Sequence, residues 1–154
     1  MLCPRLLAVA LATVLPLVLA PAAQGMTRLG QSAQHCLALT MYWEAKGEGP
    51  AGMRAVASVV LNRVDHPEFP DTVCGVVKQG GESPPCQFSW WCDGRSDRPV
   101  DARAWATATR IAEHALREPP SDVTRGALFF HNAAIERPWT RQRTVQIGQH
   151  IFYR

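Results

Sequence analysis

The stretch SAQHCLALTMYWEAKG, residues 32–47, carries the pattern that decides the fold. Ser32 is a residue type favoured at helix N-caps, and Gly47 is typical of the position where a helix ends. Between them, Leu37 and Met41 recur at the spacing of one helix face. The stretch therefore predicts an amphipathic helix with one buried side.

Glu44 lies on the apolar face of this predicted helix, because it follows Leu37 by seven residues and Met41 by three. Desolvation raises the pKa of a carboxyl group, and the negative end of the helix dipole raises it further. A carboxylic acid that stays protonated at neutral pH can donate the proton that glycosidic cleavage requires. We therefore predict Glu44 as a general acid; the alternatives are an ion pair with an arginine or exposure to water. Glu48 is expected to be exposed.

Apolar periodicity and capping residues predict three further helices. The second begins at Pro50 and ends at His66. The third is short and is capped by Asp71, and an irregular loop follows it. The fourth is capped by Asp101 and ends at Pro119.

The end of the chain changes from helical to alternating periodicity. Residues 127–131 and 145–152 each predict a short strand, and we expect the two to pair antiparallel. About four helices followed by a short antiparallel sheet predict an α+β fold in a single small domain.

Composition limits the possible classes of protein. The chain has 154 residues, of which 47% are hydrophobic and 19% charged, and these values exclude a disordered chain and predict one folded domain. Sixteen Lys and Arg against thirteen Asp and Glu give a formal charge of +3, without a long basic run. Nucleic acid is therefore not an expected partner.

Residues 1–22 have the charged start, apolar middle and small-residue exit of a secretory signal peptide. The apolar run, residues 6–20, would form a helix of about 22 Å, which is short for a hydrocarbon core of about 30 Å. We therefore expect cleavage after Ala22 rather than a membrane anchor. Residues 23–154 would then form the exported domain, in the periplasm or outside the cell.

Four cysteines follow this leader, and they are Cys36, Cys74, Cys86 and Cys92. An even number in an oxidising compartment predicts two disulfides, which would stabilise a small domain. Three pairings are possible; Cys86 and Cys92 close a short loop easily, which leaves Cys36 with Cys74, but the sequence alone does not fix the pairing. No zinc-binding spacing occurs, so we expect neither a metal nor another cofactor.

The order of several short motifs along the chain resembles the SleB/CwlJ-type cell wall hydrolases. The motifs are YWEAKGE (42–48), AVA (55–57), LNRV (61–64), FP (69–70), VCGVV (73–77), CQFS (86–89), CDG (92–94), FFHN (129–132) and IGQHIFY (147–153). The resemblance implies a lysozyme-like catalytic domain that binds peptidoglycan glycan strands and cleaves between N-acetylmuramic acid and N-acetylglucosamine. It places the family's catalytic glutamate at Glu44.

The resemblance also favours a lytic transglycosylase, in which one glutamate acts first as acid and then as base. A water-dependent muramidase usually needs a second carboxylate. Asp93 is the best candidate, but the pair Asp93-Gly94 is equally typical of a turn, which we favour.

Candidate substrate-binding residues are polar groups and flat rings near the acid. Gln87, Ser89 and Asn132 could bind hydroxyl or N-acetyl groups, and Trp43, Trp90, Trp91 and Trp139 could stack on sugars. The tryptophans could instead pack in the core, and Ser89 and Asn132 could hold turns.

Two rival functions belong to other classes of protein. A cysteine-dependent peptidoglycan amidase or peptidase would use Cys36 as a thiolate nucleophile and His131 as its base. A noncatalytic glycan-binding module would keep the tryptophans and disulfides without requiring an acid at position 44. The oligomeric state is left open by the sequence.

Overall fold

The structure, a computed structural model, describes residues 22–118, 121–136 and 139–154, with side chains from Ser32 onward. Its helices are α1 (Ala22–Ala45), α2 (Gly49–Val64), α3 (Val73–Val77), α4 (Ser89–Cys92) and α5 (Ala102–Arg117), with a 3-10 turn over Lys46–Glu48. Its strands are β1 (Phe129–Asn132), β2 (Arg143–Ile147) and β3 (His150–Tyr153). The predicted α+β class is confirmed. The predicted signal peptide lies almost wholly outside the described residues.

Helix α1 differs from its prediction at both ends. It extends N-terminally past Ser32 to Ala22, the first residue that the structure describes, and the Ser32 hydroxyl lies 3.5 Å from Cys74 Sγ instead of capping the helix. At the other end Gly47 lies within the 3-10 turn, and the chain changes direction at Gly49. Gly49 has a φ of 66°, a conformation that glycine adopts without strain.

The starts of the other long helices follow their predictions. Helix α2 carries Pro50 in its first turn, and the Asp101 carboxylate accepts hydrogen bonds from Arg103 N and Ala104 N at the start of α5. The cap of α3 is Thr72, not Asp71, because Thr72 Oγ1 accepts a hydrogen bond from Gly75 N at 3.1 Å.

The short helix α4 follows the predicted irregular loop, in a segment for which the sequence predicts no helix. Four residues are too few for helical periodicity to show, since one turn alone takes 3.6 residues. A disulfide between Cys86 and Cys92 closes the loop that contains α4, and a second joins Cys36 in α1 to Cys74 in α3. Of the three possible pairings, the structure contains the one in which Cys86 and Cys92 close the short loop.

Helix α1 forms the centre of the main core and packs against α2, α3 and α5. Leu37, Met41 and Tyr42 have no exposed surface. The Tyr42 hydroxyl also accepts hydrogen bonds from Val100 N and Asp101 N, both at 3.0 Å, which fixes the entry into α5. Among the described residues, no helix combines the length and apolar character needed to cross a membrane.

The sheet is antiparallel, with the strand order β1-β3-β2. The single strand predicted over residues 145–152 is wrong, because the chain turns at Gly148 and Gln149 and forms a hairpin. Gly148 has a positive φ of 55°, and Glu48 Oε2 accepts a hydrogen bond from Gln149 N at 2.8 Å. A second apolar cluster, in which Val59 of α2 and Phe152 of β3 are fully buried, fixes the sheet against α2.

Candidate active site

A cleft of about 1270 Å³ is lined by the C-terminal ends of α1 and α2, by the segment that leads into α4, and by the sheet. Glu44 comes from α1, Arg63 from α2, and His150 from β3. The cleft is thus assembled from elements that are distant in the sequence. Glu44 is the only carboxylate among the described residues that line it.

Glu44 is half-buried at the end of α1, next to the buried core residues Met41 and Ala45. Burial raises the pKa of Glu44 from 4.5 to about 7, and the positive charge of Arg63 opposes part of this rise. No hydrogen bond or ion pair to its carboxyl group is present within the described residues. Glu44 is therefore close to half protonated at neutral pH.

Arg63 is 4% exposed and lies among three phenyl rings. Its guanidinium carbon is 5.1 Å, 5.4 Å and 5.7 Å from the ring centroids of Phe69, Phe88 and Phe129. Burial lowers the pKa of Arg63 to about 10, and the charge of Glu44 opposes this shift. The pKa of Arg63 still lies well above neutrality, so the cleft keeps a fixed positive charge.

One hydrogen bond within the described residues holds the Arg63 guanidinium. Nε donates a hydrogen bond to Leu128 O at 2.7 Å, and Nη1 is buried without a partner in the described part of the chain. Sequence reasoning missed this residue, although a signal was present. Arg63 follows Val56 by seven residues and Val60 by three, so it is a charge on the apolar face of α2, as Glu44 is on that of α1.

Gln87, Ser89 and Asn132, the three polar residues predicted to bind substrate, all line the cleft with Glu44. Gln87 and Ser89 are exposed at the entrance to α4. Asn132 ends β1, and its Oδ1 accepts a hydrogen bond from Ala134 N at 2.9 Å. The asparagine therefore holds a turn and faces the cleft at the same time.

Trp43 and Trp91, the rings predicted to stack on sugars, are not among the residues that line the cleft. Trp43 packs beside Tyr42 and donates a hydrogen bond from Nε1 to Asp97 O at 3.2 Å. Trp91 is half-buried against the core, and Trp90 is 7% exposed within it. Trp139 does line the cleft, with its ring centroid 5.1 Å from that of His131.

The other acidic candidates have structural roles. Asp93 Oδ1 accepts a hydrogen bond from Arg95 N at 2.9 Å within a turn, and Asp93 does not line the cleft. Glu48 is half-buried rather than exposed as expected, because it holds the β2–β3 turn through Gln149.

Cys36 is bonded to Cys74, so it provides no free thiol for the cysteine-dependent alternative. The described residues contain no cluster of metal-ligating side chains.

Together these features define a small α+β domain with one desolvated carboxyl group in an open cleft otherwise lined by neutral and cationic residues, an arrangement typical of enzymes that use acid catalysis. A family model described as Cell Wall Hydrolase matches residues 47–153. This match covers more than half of the chain, and the chain therefore belongs to the cell wall hydrolase family. Glu44 lies just before the matched range.

Similar proteins include two spore cortex-lytic enzymes. The enzyme of Halalkalibacterium halodurans is 36% identical over 119 residues, which are 75% of this chain and 33% of that protein. The enzyme of Bacillus subtilis is 31% identical over 121 residues, 75% of this chain and 35% of that protein. The chain thus spans about a third of the length of these relatives.

Two solved structures share the fold. The catalytic domain of the Bacillus cereus SleB protein superposes with a TM-score of 0.65 at 32% identity, covering 80% of this chain and 91% of that domain. The catalytic domain of SleB from Bacillus anthracis, described as a germination-specific lytic transglycosylase, gives 0.64 at 32% identity, covering 80% and 95%. These structures support the recognition made from the sequence motifs.

Proposed function

We propose that this protein cleaves the glycosidic bond between N-acetylmuramic acid and N-acetylglucosamine in peptidoglycan, with Glu44 as general acid and base. The observation that carries the proposal is one desolvated carboxyl group, with a pKa of about 7, in a cleft otherwise lined by neutral and cationic residues. Membership of the cell wall hydrolase family and the spore cortex-lytic relatives support peptidoglycan as the substrate.

The first step uses the protonated form of Glu44. The carboxylic acid donates its proton to the glycosidic oxygen while the bond to the anomeric carbon breaks, and the bonding electron pair leaves with that oxygen. Positive charge develops on the sugar, and Glu44 becomes an anion. The nearby Arg63 guanidinium favours this anion, because its charge lowers the pKa of Glu44.

We propose that the second step is an intramolecular attack rather than hydrolysis. The Glu44 carboxylate removes the proton from the C6 hydroxyl of the muramyl sugar, and the C6 oxygen bonds to the anomeric carbon and closes an anhydro ring. A hydrolytic enzyme usually places a second carboxylate across the bond to act as nucleophile or base. Within the described lining of the cleft no second carboxylate is present, which favours the one-glutamate route.

The alternatives make different demands on the same residues. A water-dependent muramidase would share Glu44 and would need a base that the described lining does not supply. A noncatalytic glycan-binding module does not require a carboxyl group whose pKa lies near neutral pH. We further propose that residues 1–22 are a signal peptide and that the domain of residues 23–154 acts after export.

The deciding experiment is mass spectrometry of muropeptides released from purified sacculi. Transglycosylation gives products that are one water molecule lighter per cleaved bond than hydrolytic products. Digestion in ¹⁸O-labelled water provides an independent readout, since only hydrolysis incorporates the label. The Glu44→Gln variant is the control, and it should release products at least 10²-fold more slowly. Unchanged release by this variant would refute the catalytic role of Glu44.

A further inference from the structure

His150 is a buried polar residue of the cleft that the proposed acid–base steps do not use. It begins β3, the central strand of the sheet, and is 6% exposed. Its ring lines the cleft, while its Nδ1 is shielded from solvent and has no hydrogen-bond partner among the described residues. Because buried polar atoms are nearly always hydrogen-bonded, a shielded Nδ1 without a partner restricts how the ring can carry its proton.

The unpartnered Nδ1 decides which nitrogen carries the proton. A buried N–H without an acceptor is rarer in proteins than a buried acceptor without a donor, so the neutral ring keeps its proton on Nε2. Burial lowers the pKa of His150, as does His131, and the opposing effect of Glu48 is smaller than that of burial. The lowered pKa favours the neutral ring, whose one N–H donor is then Nε2, on a residue that lines the cleft.

An apolar ring lies directly beside the His150 ring. Phe130 of β1 also lines the cleft, and its ring centroid is 5.2 Å from that of His150 in an edge-to-face arrangement. Asn132 pairs with His150 across the two strands, so Phe130 is the diagonal neighbour of His150 on one face of the sheet. One hydrogen-bond donor beside one apolar surface complements an acetamido group, which has a carbonyl oxygen and a methyl group.

We propose that His150 and Phe130 form a subsite for the N-acetyl group of a bound sugar. The acetamido oxygen accepts the hydrogen bond from His150 Nε2, and the acetamido methyl packs on the Phe130 ring. This inference rests on the proposed function and extends it by naming a chemical group of the glycan that the cleft selects. It makes His150 a substrate-binding residue rather than an acid or a base.

The test is a double-mutant cycle between the protein and the substrate. Wild type and His150→Phe are assayed for kcat/KM on three preparations of sacculi: N-acetylated, chemically de-N-acetylated, and re-acetylated from the second. His150→Gln keeps an N–H donor and should retain most activity. The matched control is His35→Phe, because His35 is exposed and does not line the cleft.

The wild type should lose about 10-fold in kcat/KM when the acetyl groups are removed, and re-acetylation should restore it. His150→Phe should be about 10-fold slower on N-acetylated strands and should lose little more on de-N-acetylated ones. The amines that de-N-acetylation exposes on the glycan repel Arg63 equally in the wild type and in His150→Phe, so this repulsion cancels when the two proteins are compared. If His150→Phe lowered kcat/KM relative to the wild type by the same factor on both substrates, the subsite would be overturned. If the wild type were inactive on N-acetylated strands, the proposed function itself would be refuted.

A binding measurement covers the case in which His150→Phe does not fold. The Glu44→Gln variant keeps His150, and its co-sedimentation should show about 10-fold tighter binding to N-acetylated than to de-N-acetylated sacculi. Equal affinity for the two preparations would overturn the subsite without any substitution at position 150.

Discussion

Replacing Glu44 with glutamine should stabilise the protein at alkaline pH. The pKa of Glu44 is about 7 in the folded chain and about 4.5 as an ordinary carboxyl group. Between these two values the folded state binds more protons than the unfolded state, so stability falls as the pH rises from about 4.5 to about 7. Below this range the group is neutral in both states, and above it the loss of stability is complete.

The size of the effect follows from the same two pKa values. Their difference corresponds to about 3 kcal/mol, at about 1.4 kcal/mol for each pH unit. Glutamine carries no charge at any pH, so Glu44→Gln avoids this penalty. The variant should match the wild type near pH 4 and exceed its free energy of unfolding by up to about 3 kcal/mol above pH 8. This gain is large beside the total of about 5–15 kcal/mol typical of domains.

The assay is urea unfolding of wild type and variant at several pH values with both disulfides intact. Taking the difference between the two proteins cancels the contributions of all other titrating groups. Glu68→Gln is the control, since Glu68 is exposed and should give no comparable trend. A difference in stability that does not change between pH 4 and pH 8 would show that Glu44 ionises normally, and the reasoning from burial would be refuted.

Three further predictions concern the same site and the caps. The kcat/KM of the wild type should fall about tenfold per pH unit above pH 7, as Glu44 loses its proton, and a profile that stays flat to pH 9 would contradict the acid role. Arg63→Met removes the charge that lowers the pKa of Glu44, so the alkaline limb of that profile should move to higher pH; an unmoved limb in a folded variant would contradict the coupling. Thr72→Ala should lower the free energy of unfolding by about 1 kcal/mol through loss of the α3 cap, whereas Asp71→Ala should change it little, and equal losses in urea titrations would disprove the assignment of the cap.

The proposed catalytic role of Glu44 conflicts with the stability of the folded protein. A carboxyl group that is neutral near pH 7 must be desolvated, and desolvation destabilises the folded protein whenever the group ionises. Arg63 reduces this conflict because its charge lowers the pKa of Glu44 without forming an ion pair. The three phenyl rings around Arg63 hold the guanidinium in the cleft, where its positive charge lowers the pKa of Glu44.

Features encoded within a few residues could be predicted from the sequence. The position of Glu44 on the apolar side of α1, the Asp101 cap of α5 and the sequence of helices followed by strands all depend on local spacing. Arg63 could have been recognised in the same way, from Val56 and Val60 on its helix face. The cap of α3 was missed because the neighbouring residues Asp71 and Thr72 have similar capping preferences.

The sequence by itself determined where the long helices α2 and α5 begin and that an acid lies on the apolar face of α1, because helical periodicity and caps link residues only a few positions apart. Only the tertiary structure decided what surrounds that acid. Glu48 bonds to Gln149 across 101 residues, and comparable separations bring His150 and the sheet to the end of α1. Such contacts follow from the packing of β3 on α2, so the three phenyl rings around Arg63 and the place of His150 in the cleft become visible only in the folded chain.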